Sequence, residues 1–191
     1  MSRLRYLVVI YFWFVLVFVL QKPLFMFWQG DLYAGISFLD WLRVMWHGLP
    51  LDLSVSAYIM VLPMLLATVS IWLPGRWLLY ILRGYFGIII LLSLICVADA
   101  ELYGYWGFRI DVTPLFYLQS PADAMASVPV GMFFVAFLFV ILYVVAVGYP
   151  LDRWLLRPMA NKSAERRRVF TTGVYLFLTA FLFLPIRGGV S

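Results

Sequence analysis

The fold class of this chain follows first from an apolar run near its N-terminus, residues 6–28, YLVVIYFWFVLVFVLQKPLFMFW. The run consists mostly of apolar and aromatic residues, and it exceeds the about 20 residues that a helix needs to cross the hydrocarbon core of a bilayer; its lysine, Lys22, enters below as an outer charge. It is too long for the apolar region of a signal peptide, lacks a small-x-small cleavage site and ends in aromatic residues. The sequence therefore predicts a retained first transmembrane helix.

The composition of the whole chain supports the same class of protein. The 191 residues are 65% hydrophobic and 12% charged, with a mean hydropathy of +1.00, whereas a soluble domain is about one quarter charged. The net charge of +5 does not indicate nucleic acid as a partner, because the basic residues adjoin apolar runs and no zinc-finger or helix-turn-helix pattern occurs. The single cysteine, Cys96, lies in an apolar run and cannot form a disulfide within the chain.

Four further apolar windows make this an expected all-α integral membrane protein with five transmembrane helices in a single membrane domain, residues 1–191. The predicted spans are 6–28, 50–73, 77–98, 129–149 and 168–186. The connector 29–49 has apolar residues at helical spacing and predicts a short interfacial helix, with Pro50 in the first turn of the second span. Ser120-Pro121 predicts the start of another short surface helix, ending near Ser127.

The distribution of basic residues predicts the orientation. With the N-terminus inside, ten Lys and Arg residues fall on the inner side and four on the outer side; Lys22 and Arg187 are among the outer four. Basic residues prefer the cytoplasmic side of a membrane. The sequence therefore predicts an N-in, C-out topology, with Ser191 on the extracytoplasmic side.

The most polar outer connection begins with residues 98–111, ADAELYGYWGFRID. Two readings of Asp99, Glu101, Arg109 and Asp111 remain open: charges that pair with one another and with water, or a surface that meets lipid headgroups or another domain. Asp99 and Glu101 are about 200° apart on a helix, so no pair of catalytic carboxylates is established. We assign no catalytic residue and no metal ligand.

Three residues outside this segment complete the candidate lipid-headgroup or domain-docking set. Asp52 follows Pro50, where it suits the positive end of a helix, but an acid inside a span is also a functional candidate. His47, the only histidine, fits an interfacial structural position. Arg187 marks the point at which the chain leaves the fifth span.

Several segments together resemble the N-terminal membrane domain of bacterial lipoteichoic acid synthase-like proteins, in the alkaline phosphatase/sulfatase superfamily. The similar segments are WHGLPLDLS at 46–54, RIDVTPL at 109–115, YLQSP at 117–121 and LPIRGG at 184–189. The resemblance covers nearly the whole chain. Its motifs are moderately specific in combination and weak singly.

The resemblance implies a multi-pass protein of the bacterial cell (inner) membrane and an extracytoplasmic catalytic domain after residue 191. That domain would transfer a phosphoglycerol- or phosphoethanolamine-like group from a phospholipid, or act as a sulfatase-like hydrolase, using a divalent metal such as manganese. The expected partners are membrane phospholipids and the downstream domain. The alternative is a self-contained five-helix membrane protein, either a small transporter or an accessory subunit.

Overall fold

The computed structural model describes residues 2–28, 30, 35–72, 76–95, 130–160 and 168–187, and all of its elements in these ranges are helices. The elements are α1 (Ser2–Trp28), α2 (Phe38–Val69), α3 (Arg76–Ser93), α4 (Val130–Pro150), the π-helix π1 (Leu151–Leu156), α5 (Arg157–Ala160), α6 (Arg168–Phe181) and α7 (Phe183–Ile186).

Four helical segments are long and apolar enough to cross a membrane. They are Arg3–Phe27, Phe38–Val69, Phe137–Ala160 and Arg168–Ile186, and the apolar helix Trp77–Ser93 is shorter. Large apolar side chains also cover the outward faces of these helices, as the exposures of Phe27 (76%) and Val169 (77%) illustrate. A chain with such faces on every long helix is suited to lipid rather than water.

The second helix differs from the prediction because no break separates the connector helix from the second span. α2 runs without interruption for 32 residues and contains Pro50 in its interior. The Ser37 side chain accepts a hydrogen bond from the Asp40 N–H and caps the helix, which therefore begins at Phe38, twelve residues upstream of the expected start at Pro50. A proline removes one helical hydrogen bond, and the packing of α2 on α1 accommodates that loss.

α1 and α2 form the centre of the bundle. They pack antiparallel along their lengths; α2 also packs on α6 and α7, while α3 packs on α4 and π1. The Phe14 and Phe86 rings stack with centroids 5.2 Å apart, which aligns α1 with α3. Buried apolar side chains such as Leu82, Met60 and Tyr175 fill the interior. Because lipid is as apolar as these side chains, close packing and polar contacts hold the helices together.

The fourth helical segment continues beyond its predicted end at residue 149. α4 passes through Pro150 into π1 and then α5, ending at Ala160. The Arg157 N–H donates to the Asp152 carbonyl, five residues earlier, as a π-helix requires. The extension brings Asp152 to Arg83 of α3 and Arg157 of α5, and these three residues form an ionic cluster that is described below.

Contacts between neighbouring helices define two ends of the bundle. Lys22 contacts Asp52 at one end, and Arg3 donates to Ser70 at the other. Arg3 and Gln21 are 18 residues apart in α1, a rise of about 27 Å at 1.5 Å per residue. The N-in, C-out orientation of these ends remains a prediction from the charge distribution.

Candidate functional site

Polar side chains of α1, α2, α3 and α4 lie at the Lys22 end of the bundle. We call this set the polar layer. Its members are Gln21, Lys22, Asp52, Ser54, Ser93 and Tyr143. Polar groups inside an apolar bundle are costly unless they are paired, so their clustering makes this the foremost candidate site.

The Lys22–Asp52 ion pair joins α1 to α2 within the polar layer. The Lys22 Nζ contacts Asp52 Oδ2, and the exposed fractions of the two side chains are 22% and 7%. Gly48 lies one helical turn before Asp52, and the Lys22 side chain occupies the space that a Cβ at Gly48 would need. The glycine therefore opens the path by which the lysine reaches the carboxylate.

Next to Lys22, Gln21 connects α1 with α3 and α4. Its Nε2 donates to the Tyr143 hydroxyl at 2.6 Å and to the Ser93 carbonyl at 3.3 Å. The Ser93 and Tyr143 hydroxyls are 2.7 Å apart. These contacts fix the positions of α1, α3 and α4 relative to one another along the bundle axis.

The end of α7 is attached to the same layer. The Ser54 hydroxyl donates to the Ile186 carbonyl at 3.1 Å, and Ser54 is itself buried. Arg187, one of the predicted site residues, follows directly and is exposed. The last described residue of the chain is thus held at the level of Asp52 along α2, although Asp52 and Ser54, two residues apart, face different sides of the helix.

A second ionic cluster lies towards the Arg3 end. Asp152 of π1 accepts from Arg83 at 2.7 Å and 3.1 Å, one bond to each carboxylate oxygen. Arg157 Nε donates to the same carboxylate at 2.7 Å. The cluster carries two positive charges and one negative, and it lies ten residues from Ser93 along α3, about 15 Å away.

The predicted site residues are only partly brought together. Asp52 and Arg187 lie at the polar layer, while His47 is exposed on α2, where its Nδ1 is 2.7 Å from the Arg43 carbonyl. The four remaining candidates are outside the described residues; they are Asp99, Glu101, Arg109 and Asp111. The expected surface helix near Ser120–Ser127 is outside them too.

Sequence reasoning missed the partners that make Asp52 part of a site. Lys22 was counted only as an outer basic residue, although a charge inside an apolar run already indicates a partner in a neighbouring span. Asp52 is the acid that fills this role. For Gln21, Ser93 and Tyr143 the sequence offers no comparable signal, because uncharged polar residues are common in membrane helices.

Within the residues that the structure describes, no three His, Cys, Asp or Glu side chains are grouped as metal ligands would be. Comparison with models of known families, with curated proteins and with solved structures finds no match to the chain. The resemblance to lipoteichoic acid synthase-like proteins thus stays a prediction from the sequence segments.

Proposed function

We propose that this chain is the membrane-anchoring and lipid-presenting domain of an extracytoplasmic enzyme. The enzyme would be a phosphoglycerol or phosphoethanolamine transferase, or a sulfatase-like hydrolase, with its metal-dependent catalytic domain following residue 191. In this proposal the membrane domain holds the active site close to the headgroups, so the reaction gains from proximity to substrate confined in two dimensions.

The attachment of α7 to the polar layer is the observation that supports this function best. The Ser54–Ile186 hydrogen bond holds the end of the last span against α2, two residues along α2 from Asp52 of the Lys22–Asp52 pair. A domain that followed Arg187 would therefore begin at a fixed position along the long axis of the bundle. An anchor that positions an active site needs such a rigid exit.

Reporter fusions test the topology on which the proposal depends. An alkaline phosphatase reporter fused after Ser191 should be active in bacterial cells, and a fluorescent protein fused there instead should stay dark. The same fluorescent protein fused before Met1 should fluoresce. A fluorescent C-terminal fusion would place the exit in the cytoplasm and reject the proposal.

A self-contained membrane protein, such as a small transporter or accessory subunit, is the second candidate. The buried Lys22–Asp52 pair favours it, since ionisable groups within spans often belong to transport pathways. Trp13 Nε1 and Ser56 Oγ, which have no hydrogen-bond partner among the described residues, also favour it. Against it, apolar side chains such as Phe14 and Phe86 fill the bundle interior.

The genomic reading frame beyond Ser191 separates the two candidates. Several hundred further codons with a metal-binding phosphatase pattern would agree with the anchoring domain. A stop codon directly after Ser191 would agree with the self-contained protein.

A further inference from the structure

An open apolar groove lies along the N-terminal part of α2. Its volume is about 500 Å³, and its walls include Val19 of α1 together with Leu42 and Leu49 of α2. Small-molecule sites typically occupy about 300–1,000 Å³ and combine apolar walls with a few polar groups. The groove has the size and lining of a site for an apolar chain.

Arg43 supplies the one charge among the residues that line this groove. Leu39, Leu42, Trp46 and Leu49 recur at intervals of three and four residues, so they share one face of α2. Arg43 stands at the edge of that face. A ligand whose apolar chain filled the groove would bring its polar end to the guanidinium.

Asp40 lies outside the groove lining, but it is three residues before Arg43 and pairs with it, so a negative charge adjoins the positive one. Arg43 Nη1 donates to Asp40 Oδ1 at 3.0 Å, and Ser37 Oγ donates to Asp40 Oδ2 at 3.0 Å. The two charged side chains are 71% and 44% exposed. Exposed ion pairs are weak, so a ligand with its own pair of charges can replace this contact readily.

We propose that the groove seats an acyl chain of a phospholipid with a zwitterionic phosphate–ammonium headgroup. The phosphate would bind Arg43 and the ammonium would donate to Asp40, so each charge on α2 would meet its opposite. A headgroup with only negative charge would bring its phosphate close to the Asp40 carboxylate, which is unfavourable. The inference rests on the proposed lipid-presenting function and selects a phosphoethanolamine-type headgroup over phosphoglycerol.

Lipid retention by the purified 191-residue chain tests this assignment. The protein in detergent is incubated with equal amounts of phosphatidylethanolamine and phosphatidylglycerol of identical acyl composition, and retained lipid is counted by native mass spectrometry. We expect phosphatidylethanolamine to be retained about threefold better, as an exposed charge pair allows. Equal retention of the two lipids, or better retention of phosphatidylglycerol, would overturn the assignment.

Variants at the two charges make the test specific. Arg43→Gln should remove the preference, and Asp40→Asn should reverse it in favour of phosphatidylglycerol, because only the positive charge remains. Leu49→Trp should lower retention of both lipids by filling the groove. Arg153→Gln, at an exposed arginine of π1, is the matched control and should leave the ratio unchanged.

The lipid assignment and the anchoring function can fail separately. If Asp40→Asn keeps the wild-type ratio in a protein with unchanged helix content, the headgroup assignment is wrong whatever the reporter fusions show. If the lipid preference holds but the C-terminus proves cytoplasmic, the anchoring function alone is rejected.

Discussion

The Lys22–Asp52 pair and the Asp152 cluster differ in burial, and this difference sets what each can contribute. At the polar layer, the Lys22 and Asp52 side chains are 22% and 7% exposed. In the second cluster, Arg83 is 36% exposed and Arg157 49%, around an Asp152 that is 24% exposed. A buried charge depends on its partner, whereas an exposed one can be satisfied by water or headgroups.

The polar layer specifies how the helices pair. Lys22 has one acidic neighbour in the part of the chain that the structure describes, and it reaches that neighbour only over Gly48. Asp152, in contrast, accepts from two arginines and can lose one of them. The polar layer should therefore tolerate substitutions less well than the Asp152 cluster does.

Breaking the Lys22–Asp52 pair from one side should have the largest effect. Lys22→Met or Asp52→Leu alone leaves a buried charge without its partner and should lower the free energy of unfolding by about 3 kcal/mol. The double variant should recover most of this loss, because neither charge remains. Denaturant unfolding in detergent of all four proteins forms a double-mutant cycle. Losses that simply add in the double variant would show that the pair is not coupled.

The next largest effect is expected at Gly48. A methyl group in Gly48→Ala overlaps the Lys22 side chain, which must shift. Because the overlapped atoms are the flexible end of that side chain, we expect a loss at the low end of the range for overpacking, about 1 kcal/mol. Gly84→Ala is the matched control, because nothing lies within 4 Å of the added Cβ and alanine favours a helix by about 1 kcal/mol. Thermal unfolding of both variants checks this expectation. A Gly48→Ala protein as stable as Gly84→Ala would contradict it.

A smaller loss should follow when the Tyr143 hydroxyl is removed. Tyr143→Phe takes away the acceptor for Gln21 and the hydroxyl partner of Ser93, and side-chain hydrogen bonds in membrane bundles contribute about 0.6 kcal/mol on average. Tyr80→Phe, at an exposed tyrosine of α3, should change nothing. Equal unfolding free energies for these two variants would mean that the Gln21 network does not stabilise the bundle.

The smallest effect is expected in the exposed cluster. Arg157→Gln leaves the two Arg83 bonds to Asp152 in place and should cost about 0.3 kcal/mol. Because exposed charges are screened, the difference from wild type should shrink as salt is raised. Unfolding measured at low and high ionic strength checks both points. A large loss of unfolding free energy that did not depend on salt would show that this cluster behaves like the buried Lys22–Asp52 pair.

Much of the helical layout could be predicted because apolar length and helix-capping residues act locally. α1 covers the predicted span 6–28, and α6 with α7 covers 168–186. The error at Pro50 arose because a local helix-start preference competed with packing of α2 on α1, and packing prevailed. The extension of α4 into π1 and α5 lies beyond the predicted apolar window 129–149, because hydropathy alone does not detect a helix that continues through polar residues.

By itself, the sequence determined an all-helical chain with segments apolar enough to cross a membrane, since hydropathy and segment length are properties of each stretch alone. It also identified Asp52 as an acid in an unusual place. Only the tertiary structure decided that Lys22 is its partner, that Gly48 makes room for the contact and that Ser54 holds the end of α7. Those contacts depend on helix register and rotation, which arise when all the helices pack together.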